Sequence, residues 1–187
     1  MPELFLYSES ALSASSFVTM TGRGHRWTGL GAAFMAAALA RLSGMPEFSE
    51  IAAAVVAAFS TTMPDWIEIP FYRDGVRTGS LITHRTITHW PPLWASLIAW
   101  CAHDGSIIGA IGIGAAVGSL YHIFGDAPNP MGVPWLLPHK RLRFGKKGWW
   151  RSGQHEILMT LFFTALGFLT WHFAGGTAAY DLTKSVL

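Results

Sequence analysis

Eight histidines and eleven acidic residues stand in a 187-residue chain that is only 13% charged. In the stretch SLYHIFGDAPNP, His122 and Asp126 are i and i+4 at the end of an apolar run. A helix puts such a pair on one face, about a turn apart, where imidazole and carboxylate can reach one cation. His84 and His89, in HRTITHW, are i and i+5 and diverge by roughly 140° on a continuous helix. They converge only where the backbone leaves the helix, and Pro91 makes an irregular segment there plausible. Asp65 and Glu68 form an i, i+3 pair of carboxylates just after Pro64, and His25 precedes the first apolar run. Imidazole and carboxylate together suit a divalent metal: Zn²⁺ first, with Mn²⁺ or Fe²⁺ as alternatives. A lone helical His–Asp pair is more often a structural hydrogen bond. At a membrane boundary an ionisable residue is expensive and usually functional.

Five apolar segments must position these residues: 28–44, 49–63, 90–102, 105–125 and 156–176. A helix needs about 20 residues to cross a bilayer, with a range of roughly 17–25. The fourth and fifth meet that, the first just does, and the second and third are short. Half the chain is hydrophobic, 51% against 13% charged, and an ordinary globular domain is about 25% charged. The charge is too sparse to cover a soluble surface. Glycines crowd segment four, where they cost stability in water but let helices approach closely in lipid. The expectation is an all-α integral membrane bundle of about five transmembrane helices, one domain over residues 24–187. Residues 1–23 read as a loosely ordered leader without signal-peptide features. The single Cys101 rules out an internal disulfide and reads as a small buried hydrophobe.

If all five segments span, eleven Lys and Arg residues share one face and two, Arg41 and Lys184, the other. The positive-inside rule makes the rich face cytoplasmic. It predicts a multi-pass protein with a cytoplasmic N-terminus and an exported C-terminus. His25, His84, His89, His122, His139 and His155 then fall on the cytoplasmic side together with Asp65, Glu68 and Asp126. His103 and His172 lie towards the opposite face and read as structural. His155, beside Glu156, is balanced between a further ligand and a helix cap. The loop PHKRLRFGKKGWWR is basic and ends in Trp149 and Trp150. It reads as an interface anchor whose residues 139–151 attract anionic lipid head groups. The partner is the lipid bilayer, and no nucleic acid is expected, since the charge asymmetry is explained without one.

GHRWTG (24–29), PDWIE (64–68), HRTITHW (84–90) and HIFGDAPNPMGVPWLLP (122–138) occur in an order that resembles the YdjM-like inner-membrane proteins. Those are described as membrane-bound, metal-dependent hydrolases. The match covers roughly residues 24–140, and the ordered set is more specific than any one motif. Carried over position by position, the resemblance implies His25, Asp65, His84, His89, His122 and Asp126 as metal ligands. Glu68 stands one residue beyond the family's second acidic position. Thr86 replaces a glycine, Trp90 a small polar residue and Asn129 a threonine. The layout is also similar to the helical zinc phospholipase C and single-strand nuclease group, an analogy of arrangement only.

The function expected is metal-assisted hydrolysis of a phosphoester or lipid head group at the cytoplasmic membrane surface of a bacterial inner membrane. Asp65 or Glu68 is expected as a catalytic base where it is not a ligand, and Asp126 stands as a third choice. Arg85 is expected to hold a phosphate oxygen. The alternative is a non-enzymatic metal-binding membrane protein, a sensor or transporter.

Overall fold

A computed structural model of the chain describes residues 20–82, 85–128, 132–137, 140–142 and 155–186. The side chains of Arg77 and of residues 176–186 lie outside that description, as do residues 1–19 of the leader, His84, Asn129, His139 and the stretch 143–154 with Trp149 and Trp150. The fold is mostly helical. In chain order the elements are α1 (Gly22–Trp27), α2 (Gly29–Leu42), α3 (Glu47–Ser60), α4 (Met63–Ile67), β1 (Pro70–Arg73), β2 (Val76–Ser80), a 3₁₀ turn at Ile87–His89, α5 (Pro91–Asp104), α6 (Ile107–Asp126), β3 (Val133–Pro134), β4 (Arg141–Leu142) and α7 (Glu156–Val186).

Local chemistry sets the helix ends. Pro91 and Pro92 open α5, where their missing N–H groups would have no helical partner anyway. Gly105 ends it in a left-handed conformation with φ 66°, which costs glycine nothing. Ser106 caps α6 by accepting a hydrogen bond from the Gly109 amide.

Helix α6 is central: it packs on α3, α5 and α2, and α7 packs on α2. The core is made largely of small residues, with Ala32, Ala36, Ala40, Ala53 and Ala57 around Ile113, Val117, Tyr121 and Phe163. Backbones therefore come close. A Cβ on Gly118 would lie 2.6 Å from the Ala57 carbonyl oxygen, and one on Gly167 would run into the backbone of Gly31. Close approach through small residues is how helices associate when lipid supplies no hydrophobic drive. The outward faces are apolar instead, with Phe59 77% exposed and Phe162 and Phe173 also exposed.

The structure differs from the sequence expectation in two respects. Among the described residues, two helices have the length and hydropathy to cross a bilayer, Ile107–Asp126 and Glu156–Gly175, rather than five. The helices of segments one, two and three, α2, α3 and α5, have 14 residues each. At 1.5 Å per residue that is about 21 Å, short of a hydrocarbon core of about 30 Å. The all-helical expectation also omitted two short antiparallel ribbons, β1–β2 and β3–β4. Arg73 pairs with Val76, leaving Asp74 and Gly75 as a two-residue turn with φ 52° and 76°. Asp-Gly favours that left-handed hairpin turn, so the signal was present in the sequence.

Candidate metal centre

The site forms at one end of the bundle, where α1, α4, the irregular segment before α5, and the last turn of α6 meet. His122 and Asp126 stay on one face of α6, with Nε2 and Oδ2 3.9 Å apart. Asp65 comes in on α4, a single turn begun by Pro64. His89 arrives on the 3₁₀ turn at Ile87–His89. Arg85 sits just ahead of it in a left-handed conformation, φ 57°, an uncommon and strained choice for a side-chain-bearing residue of a kind that clusters at functional sites. His25 comes from α1, and Gly125 lets that helix lie close. A Cβ there would stand 2.8 Å from Met20 Sδ and 3.3 Å from His25 Cε1.

His89 Nε2 and His122 Nε2 face each other at 3.2 Å. Asp65 Oδ1 lies 3.5 Å from the first and 3.6 Å from the second. Asp126 Oδ2 stands 4.0 Å from His89 Nε2, and Asp126 Oδ1 reaches His25 Nε2 at 3.4 Å. The His25 and His122 rings stack, their centroids 3.9 Å apart. Two groups are compact enough to share a cation: Asp65, His89 and His122, and His25, His122 and Asp126.

The other ring nitrogens fix what these atoms present. His122 Nδ1 is 2.9 Å from the Thr61 carbonyl oxygen, which only accepts, so Nδ1 carries the proton. His89 Nδ1 is 3.2 Å from Glu68 Oε1. The same oxygen accepts from the Arg85 amide and the Thr88 hydroxyl, both at 3.1 Å, so His89 Nδ1 is also the protonated nitrogen. With both rings neutral, each Nε2 turns a lone pair towards the other across 3.2 Å. A positive charge between them resolves that repulsion. Zinc bonds of about 2.0–2.1 Å in a tetrahedron place ligand atoms roughly 3.3–3.4 Å apart, close to the separations among His89, His122 and Asp65. The donor set fits a divalent cation.

Without a cation, a proton on His89 fills the same gap. Burial pushes the His89 imidazole down, but hydrogen bonds to Asp65 and Glu68 outweigh it and hold it above the usual histidine range. Burial pushes Asp65 up, yet hydrogen bonds from His122 and His89 keep it far below the usual carboxylate range. Burial and the neighbouring His122 push His25 below the ordinary value. Arg85, 1% exposed, donates from one Nη to Asp126 Oδ2 at 2.8 Å. Its Nε and other Nη are buried without a hydrogen-bond partner among the described residues.

Of the residues singled out in the sequence, His25, Asp65, His89, His122, Asp126 and Arg85 are brought together, and His84 lies outside the described residues. Glu68, fully buried, stands behind His89 rather than beside the cation position. His155 immediately precedes α7. His103 closes α5 at the other end of the bundle, and His172 is exposed on α7. Sequence reasoning missed the Thr61 carbonyl, whose side chain says nothing about its role, and Thr88, which sits inside the quoted HRTITHW. It also missed Glu156, whose carboxylate accepts from the Thr21 amide at 2.7 Å and the Thr21 hydroxyl at 2.9 Å and so anchors the start of the helix that carries His25.

No curated protein and no solved structure matches the chain. The YdjM inner membrane protein family does, over residues 20–182, a stretch that contains every residue of the centre. The chain is a member of the YdjM inner membrane protein family.

Proposed function

We infer that this membrane protein is a metal-dependent hydrolase of phosphoesters. The observation that carries the reading is the facing Nε2 atoms of His89 and His122, closed by Asp65, with the buried Arg85 guanidinium bonded to Asp126 and two of its donors without a hydrogen-bond partner among the described residues. His89, His122 and Asp65 would hold the cation, and Asp126 Oδ2 stands 3.9 Å from His122 Nε2 and 4.0 Å from His89 Nε2. A divalent cation supplies Lewis acidity and makes hydroxide available near neutral pH. Arg85 offers Nε and Nη1 to the non-bridging oxygens of a phosphate, a pairing for which its planar fork is suited. Glu68 acts as a positioning residue: it fixes the tautomer and direction of His89. A water oxygen attacks phosphorus and the bond to the leaving alcohol breaks. The proton lost by that water passes to the Asp126–His25 pair and then to the departing alkoxide.

The topology read from charge belongs with this proposal. The centre lies at the end of the bundle where the described cations Arg23, Arg26, Arg73, Arg85 and Arg141 also fall, and by the positive-inside rule that end would be cytoplasmic. Helices α6 and α7 would span, and α2, α3 and α5 would pack against them.

The test is hydrolysis of a panel of phosphodiesters and phosphomonoesters by purified protein, with and without chelator. Turnover that is lost with chelator, regained with Zn²⁺ or Mn²⁺ and absent in His122→Ala is expected. Metal-independent turnover, or an undiminished His122→Ala variant, overturns the assignment. Stoichiometric zinc without cleavage of any substrate puts metal sensing in its place.

A further inference from the structure

The metal centre is closed on most sides. His25, Arg85, His89, His122 and Asp126 are each 3% exposed or less, whereas the Asp65 side chain is 38% exposed. Asp65 forms part of the wall of a cavity of about 640 Å³, lined also by Arg26, Phe59, Thr62, Trp66 and Tyr72. That volume is in the range of small-molecule sites, about 300–1,000 Å³. Its rim is aromatic and wet: Phe59, Trp66 and Tyr72 are 65–77% exposed. Tryptophan and tyrosine favour the level of lipid head groups, where one end of the ring is apolar and the other polar. Arg26 leans over the same opening, its Nε donating to the Gly22 carbonyl at 3.2 Å.

One helix face leads into this cavity. Phe48, Ile51, Val55 and Phe59 are all exposed, and at 100° per residue they fall within one arc of α3. Phe48 and Phe59 are eleven residues apart, or about 16 Å along the axis. One leaflet of the hydrocarbon core is about 15 Å deep. Thus an apolar track of single-leaflet length ends in Phe59 at the cavity rim, with a cation beside it and the metal centre beyond Asp65. A soluble phosphoester has no use for such an approach. An amphiphile with an anionic head is complementary to it at both ends.

We propose that the cavity beside Asp65 takes a phosphate-bearing membrane lipid laterally from the bilayer, its acyl chain along the Phe48–Phe59 face of α3 and its phosphate against Arg26. The proposal rests on the hydrolase reading and names its substrate class. Because Asp65 is the exposed member of the cluster, a lipid phosphate held by Arg26 approaches the centre from the Asp65 side.

The experiment separates the lipid site from the chemistry. Protein is placed in phosphatidylcholine nanodiscs doped with phosphatidic acid carrying a photoactivatable diazirine in its acyl chain, with chelator present. Cross-linked peptides are then mapped. Labelling of residues 48–66 is expected at least ten-fold above labelling of the outer face of α7. Arg26→Gln is expected to lower it at least five-fold, and glycerol phosphate, which has the head but no chain, does not compete. Even labelling of α3 and α7, or equal labelling by a diacylglycerol probe of the same chain without phosphate, overturns the proposal by showing ordinary annular lipid. A localised label on a protein that hydrolyses no phosphoester leaves the lipid site standing and removes the hydrolase reading instead.

Discussion

Glu68→Gln tests the architecture of the centre most directly. The substitution keeps the shape of a fully buried side chain and keeps an acceptor oxygen for the Arg85 amide, the Thr88 hydroxyl and His89 Nδ1, which all converge on Oε1 at 3.1–3.2 Å. What it removes is the negative charge behind His89, and with it the strength of a charge-assisted hydrogen bond. The imidazole becomes a poorer donor to the cation and less firmly aimed. Replacing a residue in that outer position typically lowers metal affinity about 10–100-fold, or roughly 1.4–2.7 kcal/mol. The measurement is a competition titration of Zn²⁺ against a chromophoric chelator on detergent-solubilised protein, with turnover at saturating metal measured alongside. The expected outcome is a weakened Kd with most of kcat restored once the site is filled. An unchanged Kd with kcat abolished refutes the reasoning, because it makes Glu68 the proton acceptor rather than the residue that orients His89.

His122→Ala and His89→Ala each remove one of the facing nitrogens, and elemental analysis should find the bound zinc lost rather than merely weakened. Metal affinity should also fall with pH. His89 titrates above 6.5 because Asp65 and Glu68 hold its proton, so below that raised value the cation must displace a proton, and each pH unit should raise the Zn²⁺ Kd about ten-fold for one proton released. A Kd flat across that window excludes His89 as a ligand. Glu156→Ala frees Thr21 and the start of α1, so zinc affinity should drop modestly while the helix content seen by circular dichroism stays unchanged. Gly118→Val overpacks the α3–α6 crossing by about 1–3 kcal/mol, and the thermal midpoint in detergent should fall by several degrees.

Much of the centre was legible from residue type and spacing. The i, i+4 relation of His122 and Asp126 needs only a helix to become one face, and the helix runs through both. Segment boundaries read from hydropathy fall within a few residues of α2, α3, α5 and α6, because apolar runs bounded by proline, glycine and serine leave little choice of ends. Span number was less legible: hydropathy measures how apolar a run is, while crossing a bilayer depends on how many residues stay helical. The Asp74–Gly75 hairpin has a local signal of its own, a two-residue Asp-Gly turn between short strands.

The sequence alone determined which chemical groups the centre would contain, since imidazole and carboxylate are properties of residues, and that the chain would partition into membrane, since composition sets that balance. Only the tertiary structure decided which nitrogen of each histidine faces the cation. That choice is made by a backbone carbonyl at Thr61 and a carboxylate at Glu68, 61 and 21 positions away from the rings they hold. Such partners come together through packing, and no local pattern in the chain encodes the distance between them.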